Sequence, residues 1–324
     1  MLSHKGGLLT TASAPGKVIL FGEHAVVSGT PALGSAINLR ARVIVEDLPG
    51  RLEIEACNLM LRGFSLDLTT GRVSSPGVLD AIKYVSAVLK EFQADGLRVK
   101  VDSDIPPAAG LGSSAAIVVA TMAALNKHMS LGLSREEIAS SSYKIEKTVQ
   151  QGMGSPMDTA VSTFGGYQLV SETVHGIDLP EMHIVVGCTE KEHNTRSEIQ
   201  KVQSLRSRYP DIVEPIFCAI GAISTRAVPL IRDNRLEELG HLMNFNQGLL
   251  EALGVGTREL SELVYAARGA GHSLGAKLTG AGGGGCMIAL PSTAGSLSIL
   301  VALEQARGTA FEVKTGGAGM RLET

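Results

Sequence analysis

Residues 106–116 read PPAAGLGSSAA and run without a break into IVVATMAALN, which ends at Asn126. The prolines stop whatever precedes them, and everything after the serines is small or apolar on every side. A helix apolar all round lies inside a protein, so this stretch predicts a buried helix whose start opens on Gly110, Leu111 and Gly112. The first N–H groups of a helix have no partner within it, and its dipole favours an anion such as phosphate at that end. Ser113 and Ser114 add hydroxyls suited to a phosphate oxygen or a magnesium ion. A plainer reading stays open beside this one: a proline-glycine turn with Ser113 as an ordinary N-cap.

Working outward, residues 17–21 (KVILF) and 41–46 (ARVIVE) read as strands, 78–92 as an amphipathic helix, and 97–101 (LRVKV) as a half-buried strand. SREE at 134–137 is a capping box that starts another helix, with Glu146 on the flank of its apolar face. The pattern breaks at 171–181 (SETVHGIDLPE), a polar connection that places a domain boundary near residue 176. Beyond it come a strand at 183–187, helices at 196–209, 212–250 and 257–270, a strand pair around glycines at 277–290, and a last strand at 311–314. Strands and helices interleaved in each half predict an α+β protein of two domains, 1–176 and 177–324. Residues 1–10 read as a loose leader.

Composition excludes several classes. Lys and Arg number 29 against 32 Asp and Glu, a formal charge of −3, so no basic surplus exists for nucleic acid or an anionic membrane surface. With no Trp, 5 Tyr and 7 Phe, base-stacking platforms are also disfavoured. The apolar run 115–125 is too short for the ~20 residues a bilayer requires, and no signal-peptide pattern opens the chain, which reads as cytoplasmic. Cys57, Cys188, Cys218 and Cys286 form no C-x-x-C pair and read as reduced thiols. Glycine is in excess: 38 of 324 residues is roughly 12%, against a usual ~7%.

Part of that excess is GAGGGG at 280–285. It matches G-x-G-x-x-G in form, but a strand-like run, CMIAL, follows it and no helix, which argues against a dinucleotide fold. A backbone lying against a ligand or a wide hairpin remain as readings. Lys17, Glu23 and His24 cluster around one strand and its turn, where each has an ordinary surface explanation. Asp158 ends a glycine-proline approach, GSPMD, and reads first as a turn or cap aspartate. If Glu146 is buried, it needs a partner or a metal.

Taken together, the segments SAPGKVILFGEHAVV (13–27), PPAAGLGSSAA (106–116) and KLTGAGGGGCM (277–287) resemble the motifs of the GHMP small-molecule kinases, in the family's order. Two further stretches, 152–166 and NFNQGLLEALGVG at 244–256, extend the resemblance over nearly the whole chain. It implies an N-terminal domain like domain 2 of ribosomal protein S5, a ferredoxin-like C-terminal domain, and a substrate cleft between them. It also implies ATP as co-substrate and Mg²⁺ as cofactor. Gly110, Leu111, Gly112, Ser113 and Ser114 would wrap the triphosphate, with Ser103 a further nucleotide contact. Ser114 and Glu146 would hold Mg²⁺, and Asp158 would face the substrate hydroxyl beside Lys17. Glu23, His24, Gly280 and Ala281 would meet the substrate. GEHAVV at 22–27 and the 244–256 stretch imply mevalonate as that substrate. Phosphomevalonate or homoserine are the alternatives, as is a ligand-binding relative without chemistry. Arg196 is the cation that would suit a phosphorylated substrate. No nucleic-acid or membrane partner is implied, and the family allows a homodimer.

Overall fold

Thirteen residues of alternating small and apolar character, Leu9–Phe21, form strand β1, and they set the frame for everything around the predicted helix. The computed structural model describes residues 9–57, 65–66, 73–74, 76–107, 109–152, 155–189, 195–293 and 295–323. Most of the expected leader, residues 1–8, lies outside the described residues, whereas Leu9 and Thr10 already belong to β1. Antiparallel to β1 runs β2 (Ala32–Asp47), in a register shifted between Pro15 and Lys17. Then follow β3 (Glu53–Cys57), the short pair β4 (Ser65–Leu66) and β5 (Val73–Ser74), helix α1 (Pro76–Glu91) and β6 (Leu97–Ser103).

The expected buried helix is α2 (Ser113–His128), with every residue from Ala115 to Leu125 buried. Burying a Val, Leu, Ile or Met side chain contributes roughly 1.5–3 kcal/mol, so Ile117, Val118, Val119, Met122 and Leu125 anchor this helix strongly under the sheet. Helix α3 (Arg135–Val149) begins with the predicted capping box: Ser134 accepts from the Glu137 N–H while Glu137 accepts from the Ser134 N–H. Helix α4 (Pro156–Phe164) has proline in its first turn and Asp158 just inside it. β7 (Tyr167–Val170) and β8 (Val174–Ile177) form a hairpin on β2, so part of the polar connection read at 171–181 is an edge strand.

The second sheet begins at β9 (His183–Cys188). Helices α5 (Thr195–Arg208), α6 (Pro210–Arg232), α7 (Leu236–Ala252) and α8 (Arg258–Gly269) precede β10 (Ser273–Leu278) and β11 (Cys286–Pro291). Helix α9 (Ser296–Gln305) and β12 (Thr309–Lys314) complete it. The order β10-β11-β9-β12, antiparallel throughout, is the expected ferredoxin-like arrangement. The chain then returns: β13 (Arg321–Glu323) pairs with β1 in the first sheet. Buried Arg40 fastens that return, donating to the carbonyls of Ala318, Gly319 and Ser13 and to the Ser13 hydroxyl.

Two sequence readings need correction or comment. Cys188 and Cys286, read as reduced thiols, are joined as a disulfide; they lie directly opposite each other on β9 and β11 with Cα atoms 4.0 Å apart. Sheet register brings them together across 98 residues, which no spacing motif reveals. Cys218 is free and exposed. Among the described residues α6 alone is long and apolar enough to cross a membrane. It carries Pro215 and Pro229 and buries one stripe, including Val213, Phe217, Ile220, Ala227 and Leu230, as a core-facing helix does.

Candidate active site

The start of α2 is capped by Gly112, in the left-handed region at φ 75°, and no side chain caps it. The open alternative, Ser113 as N-cap, is therefore not what forms: Ser113 is the first helical residue, and both serine hydroxyls sit at the helix mouth. Gly112 is required twice over. A Cβ there would come within 2.7 Å of the Lys17 side chain, in a backbone conformation that L residues rarely adopt. This close approach, with the Lys17 N–H donating to the Leu111 carbonyl at 2.8 Å, brings β1 alongside the glycine loop.

Lys17 is 4% exposed. Its Nζ lies 3.5 Å from Asp158 Oδ1. Asp158 comes from the first turn of α4, which is tied to β1 by the Ser162 hydroxyl donating to the Pro15 carbonyl at 2.9 Å. On the other flank, the Ser114 hydroxyl donates to Glu146 Oε1 at 2.7 Å, and Gln150 donates to the same oxygen at 3.0 Å. Glu146 Oε2 is buried and has no partner. Burial, then the nearby Asp158 charge, pushes the Glu146 carboxyl up to about 8. An orphaned, buried carboxylate oxygen beside a serine hydroxyl is a set of hard oxygen donors that fits Mg²⁺. Among the described residues no group of three His, Cys, Asp or Glu forms a ready-made metal cage. A cation here would thus complete its shell with phosphate oxygens and water, as Mg²⁺ does in nucleotide sites.

The glycine loop 280–285 faces this arrangement. A Cβ on Gly280 would lie 4.0 Å from the Gly110 carbonyl oxygen, so the two glycine loops lie side by side. His24 is 7% exposed, and its Nε2–H donates to the Ala281 carbonyl at 2.8 Å, leaving Nδ1 as the acceptor. Burial pulls the imidazole below the usual histidine range, which keeps it neutral at pH 7. Glu23 is 1% exposed; it pairs with Lys277 and accepts from Asn246 Nδ2 at 3.2 Å.

The structure therefore gathers Lys17, Asp158, Ser114 and Glu146 around the 110–114 loop, and His24, Gly280 and Ala281 around the glycine loop beside it. Ser103 ends β6, ahead of the 110–114 loop. Its hydroxyl accepts from the Ile105 N–H at 3.2 Å, so it shapes the turn leading into the loop. Arg196 donates to Gln151 at 2.9 Å, a strap from α5 to the residues just after α3. In the Glu146-to-Asp158 connection, Met153 and Gly154 lie outside the described residues. Sequence reasoning missed Gln150, Lys277 and Asn246 as parts of the site; the NFNQ and KLT motifs held the latter two in view without a role.

A helix start with no side-chain cap, a buried serine–glutamate pair and a lysine–aspartate pair thus stand together, an arrangement suited to handling phosphate. The chain belongs to the GHMP kinases: residues 78–166 match the GHMP kinases N terminal domain and residues 227–308 the GHMP kinases C terminal. Within that family it falls among the mevalonate kinases. It is 41% identical over 332 residues to the mevalonate kinase of Pyrococcus abyssi, covering 97% of this chain and 98% of the relative. With that of Thermococcus onnurineus the identity is 42%, covering 96% and 98%. In three dimensions it resembles the crystal structure of L. major mevalonate kinase in complex with R-mevalonate, with a TM-score of 0.82, 26% identity and 98% of both chains covered.

Proposed function

We propose that the protein transfers the γ-phosphoryl group of ATP to the primary hydroxyl of mevalonate, giving 5-phosphomevalonate and ADP. The observation that carries the mechanism is the Lys17–Asp158 pair, 3.5 Å apart, beside a helix start that no side chain caps. In this reading the triphosphate lies along the N–H groups at 110–114. The substrate sits between Asp158 and the His24–Ala281 side, with Gly280 closing over it.

Phosphoryl transfer depends mostly on positioning and charge neutralisation. Asp158 takes the proton of the substrate hydroxyl as its oxygen attacks phosphorus in line, while the bond from phosphorus to the ADP oxygen breaks. Lys17 holds the carboxylate in place and offsets charge on the transferring group. Ser114 and Glu146 would hold Mg²⁺, which supplies charge neutralisation on the phosphate oxygens. Mevalonate is favoured as substrate by the relatives' activity and by full-length identity near 40%.

The test is ADP release measured over mevalonate, phosphomevalonate, homoserine and galactose. Mevalonate is expected to give the highest kcat/KM. Faster turnover of homoserine or galactose overturns the substrate, and ATP hydrolysis that no alcohol stimulates overturns the kinase reading.

A further inference from the structure

Glu23 was expected to touch the substrate, but its surroundings leave it no free face. Glu23 is 1% exposed, Lys277 and Asn246 are 0% exposed, and both carboxylate oxygens are taken: Oε1 by Lys277 Nζ and Oε2 by Asn246 Nδ2. Lys277 is itself fully engaged. It also donates to the Leu278 carbonyl at 2.7 Å and lies 5.9 Å from the centre of the Phe21 ring.

The three partners come from elements far apart in the chain: the turn after β1, strand β10 and helix α7. At the end of β10 and in the turn that follows it, Lys277, Thr279 and Ala281 each reach into the first domain. Lys277 meets Glu23; the Thr279 hydroxyl donates to the Ile19 carbonyl at 2.9 Å and accepts from the Ile19 N–H at 3.1 Å; the Ala281 carbonyl accepts from His24. The intervening residues are held from the other flank, where Ala276 N–H donates to Asn244 and Leu278 N–H to Gln247, both on α7. Side chains alternate with a period of two, so a slip of one residue would set Leu278 against Glu23 and strand both charges. The ion pair admits one register only. Breaking a buried pair by removing one partner is costly because the other charge is left uncompensated.

We propose that Glu23 is a positioning residue for phosphoryl transfer: with Lys277 and Asn246 it fixes the register at which the 277–281 segment docks on the first domain. It thereby sets His24, Gly280 and Ala281 against the substrate without touching it. This rests on the kinase reading of the same cleft.

The test is a double-mutant cycle on the full-length enzyme with Glu23→Gln, Lys277→Met and both together, reading Tm, kcat and the KM values for mevalonate and ATP. Each single variant is expected to lose about 10–100-fold in kcat/KM for mevalonate, the scale of a 1 Å misplacement. The double variant is expected to lose no more than the worse single, because both remove the same tie. Losses that multiply show Glu23 acting on substrate independently of Lys277 and overturn the proposal. So does a folded double variant with lowered Tm and wild-type kinetics, since that is a purely structural role. If Lys277→Met fails to fold, Asn246→Ala takes its place in the cycle under the same criteria. Wild-type enzyme that shows no mevalonate-dependent ADP release overturns the kinase reading and this proposal with it, whereas multiplying losses in an active enzyme overturn the positioning role alone.

Discussion

The fold removes water from Glu146 and sets Asp158 nearby, raising its carboxyl from an ordinary 4.5 to about 8. The folded state therefore binds a proton more tightly than the unfolded chain. That stabilisation is complete below about pH 4.5 and is lost as pH rises toward about 8. In protein free of divalent cations, Tm is expected to fall across that window, and Glu146→Gln, which cannot ionise, is expected to flatten the slope; calorimetry at a series of pH values reads both. Asp158→Asn belongs to the same scale. Loss of a general base costs 10²–10⁴-fold, so kcat is expected to drop by about that factor while the KM for ATP stays within about threefold. Turnover within about threefold of wild type would mean that Asp158 only orients the hydroxyl. These residues were legible in the sequence as members of motifs, and as neighbours only through the family resemblance. The family resemblance set Lys17 beside Asp158, but nothing in the chain shows that Glu23 is spent on Lys277, 254 residues away. The contacts that decide their roles are tertiary.

Among the elements, α2 was readable because an all-apolar helix has one place to go, and the SREE box marked the start of α3 by local chemistry alone. The α3 cap gives a clean local prediction: Ser134→Ala is expected to cost about 1 kcal/mol, lowering Tm by roughly 2–4 °C with kcat unchanged. Helix α7 was not readable in the same way. Its NFNQ stretch looked like a family signature, yet Asn244 and Gln247 act as a substitute strand, accepting the outward N–H groups of Ala276 and Leu278 on the open edge of the second sheet. Amide side chains on a helix reveal such a duty only once a strand lies beside them. Replacing Gln247 by Leu leaves a buried N–H without a partner, a cost of about 1–3 kcal/mol. Thermal unfolding is expected to shift accordingly, and the KM for mevalonate to rise, because the same strand runs on into the 280–285 loop.

On the scale of the whole molecule, the two α+β units were foreseen, but the return of the chain to the first sheet was not. β13 is three residues long and has no hydrophobic pattern of its own; its place is set by Arg40 and by an open edge of β1. Burial lowers the Arg40 guanidinium to about 10, and its acceptors are backbone carbonyls from 318–319 and Ser13 rather than a facing carboxylate. Arg40→Ala removes those donors to the returning segment, and stripping a buried polar network of one partner costs several kcal/mol. The expected result is a Tm lowered by several degrees and earlier proteolysis near residue 315, checked by limited digestion followed by mass spectrometry.

The Arg40 clasp also carries a schedule. Its acceptor Gly319 is made 279 residues after Arg40 itself, so at about 5–20 residues per second the guanidinium waits roughly 15–60 s for its carbonyl. For that interval β1, the strand that bears Lys17, has a bare edge, and the first domain is a sheet in need of a chaperone or of patience.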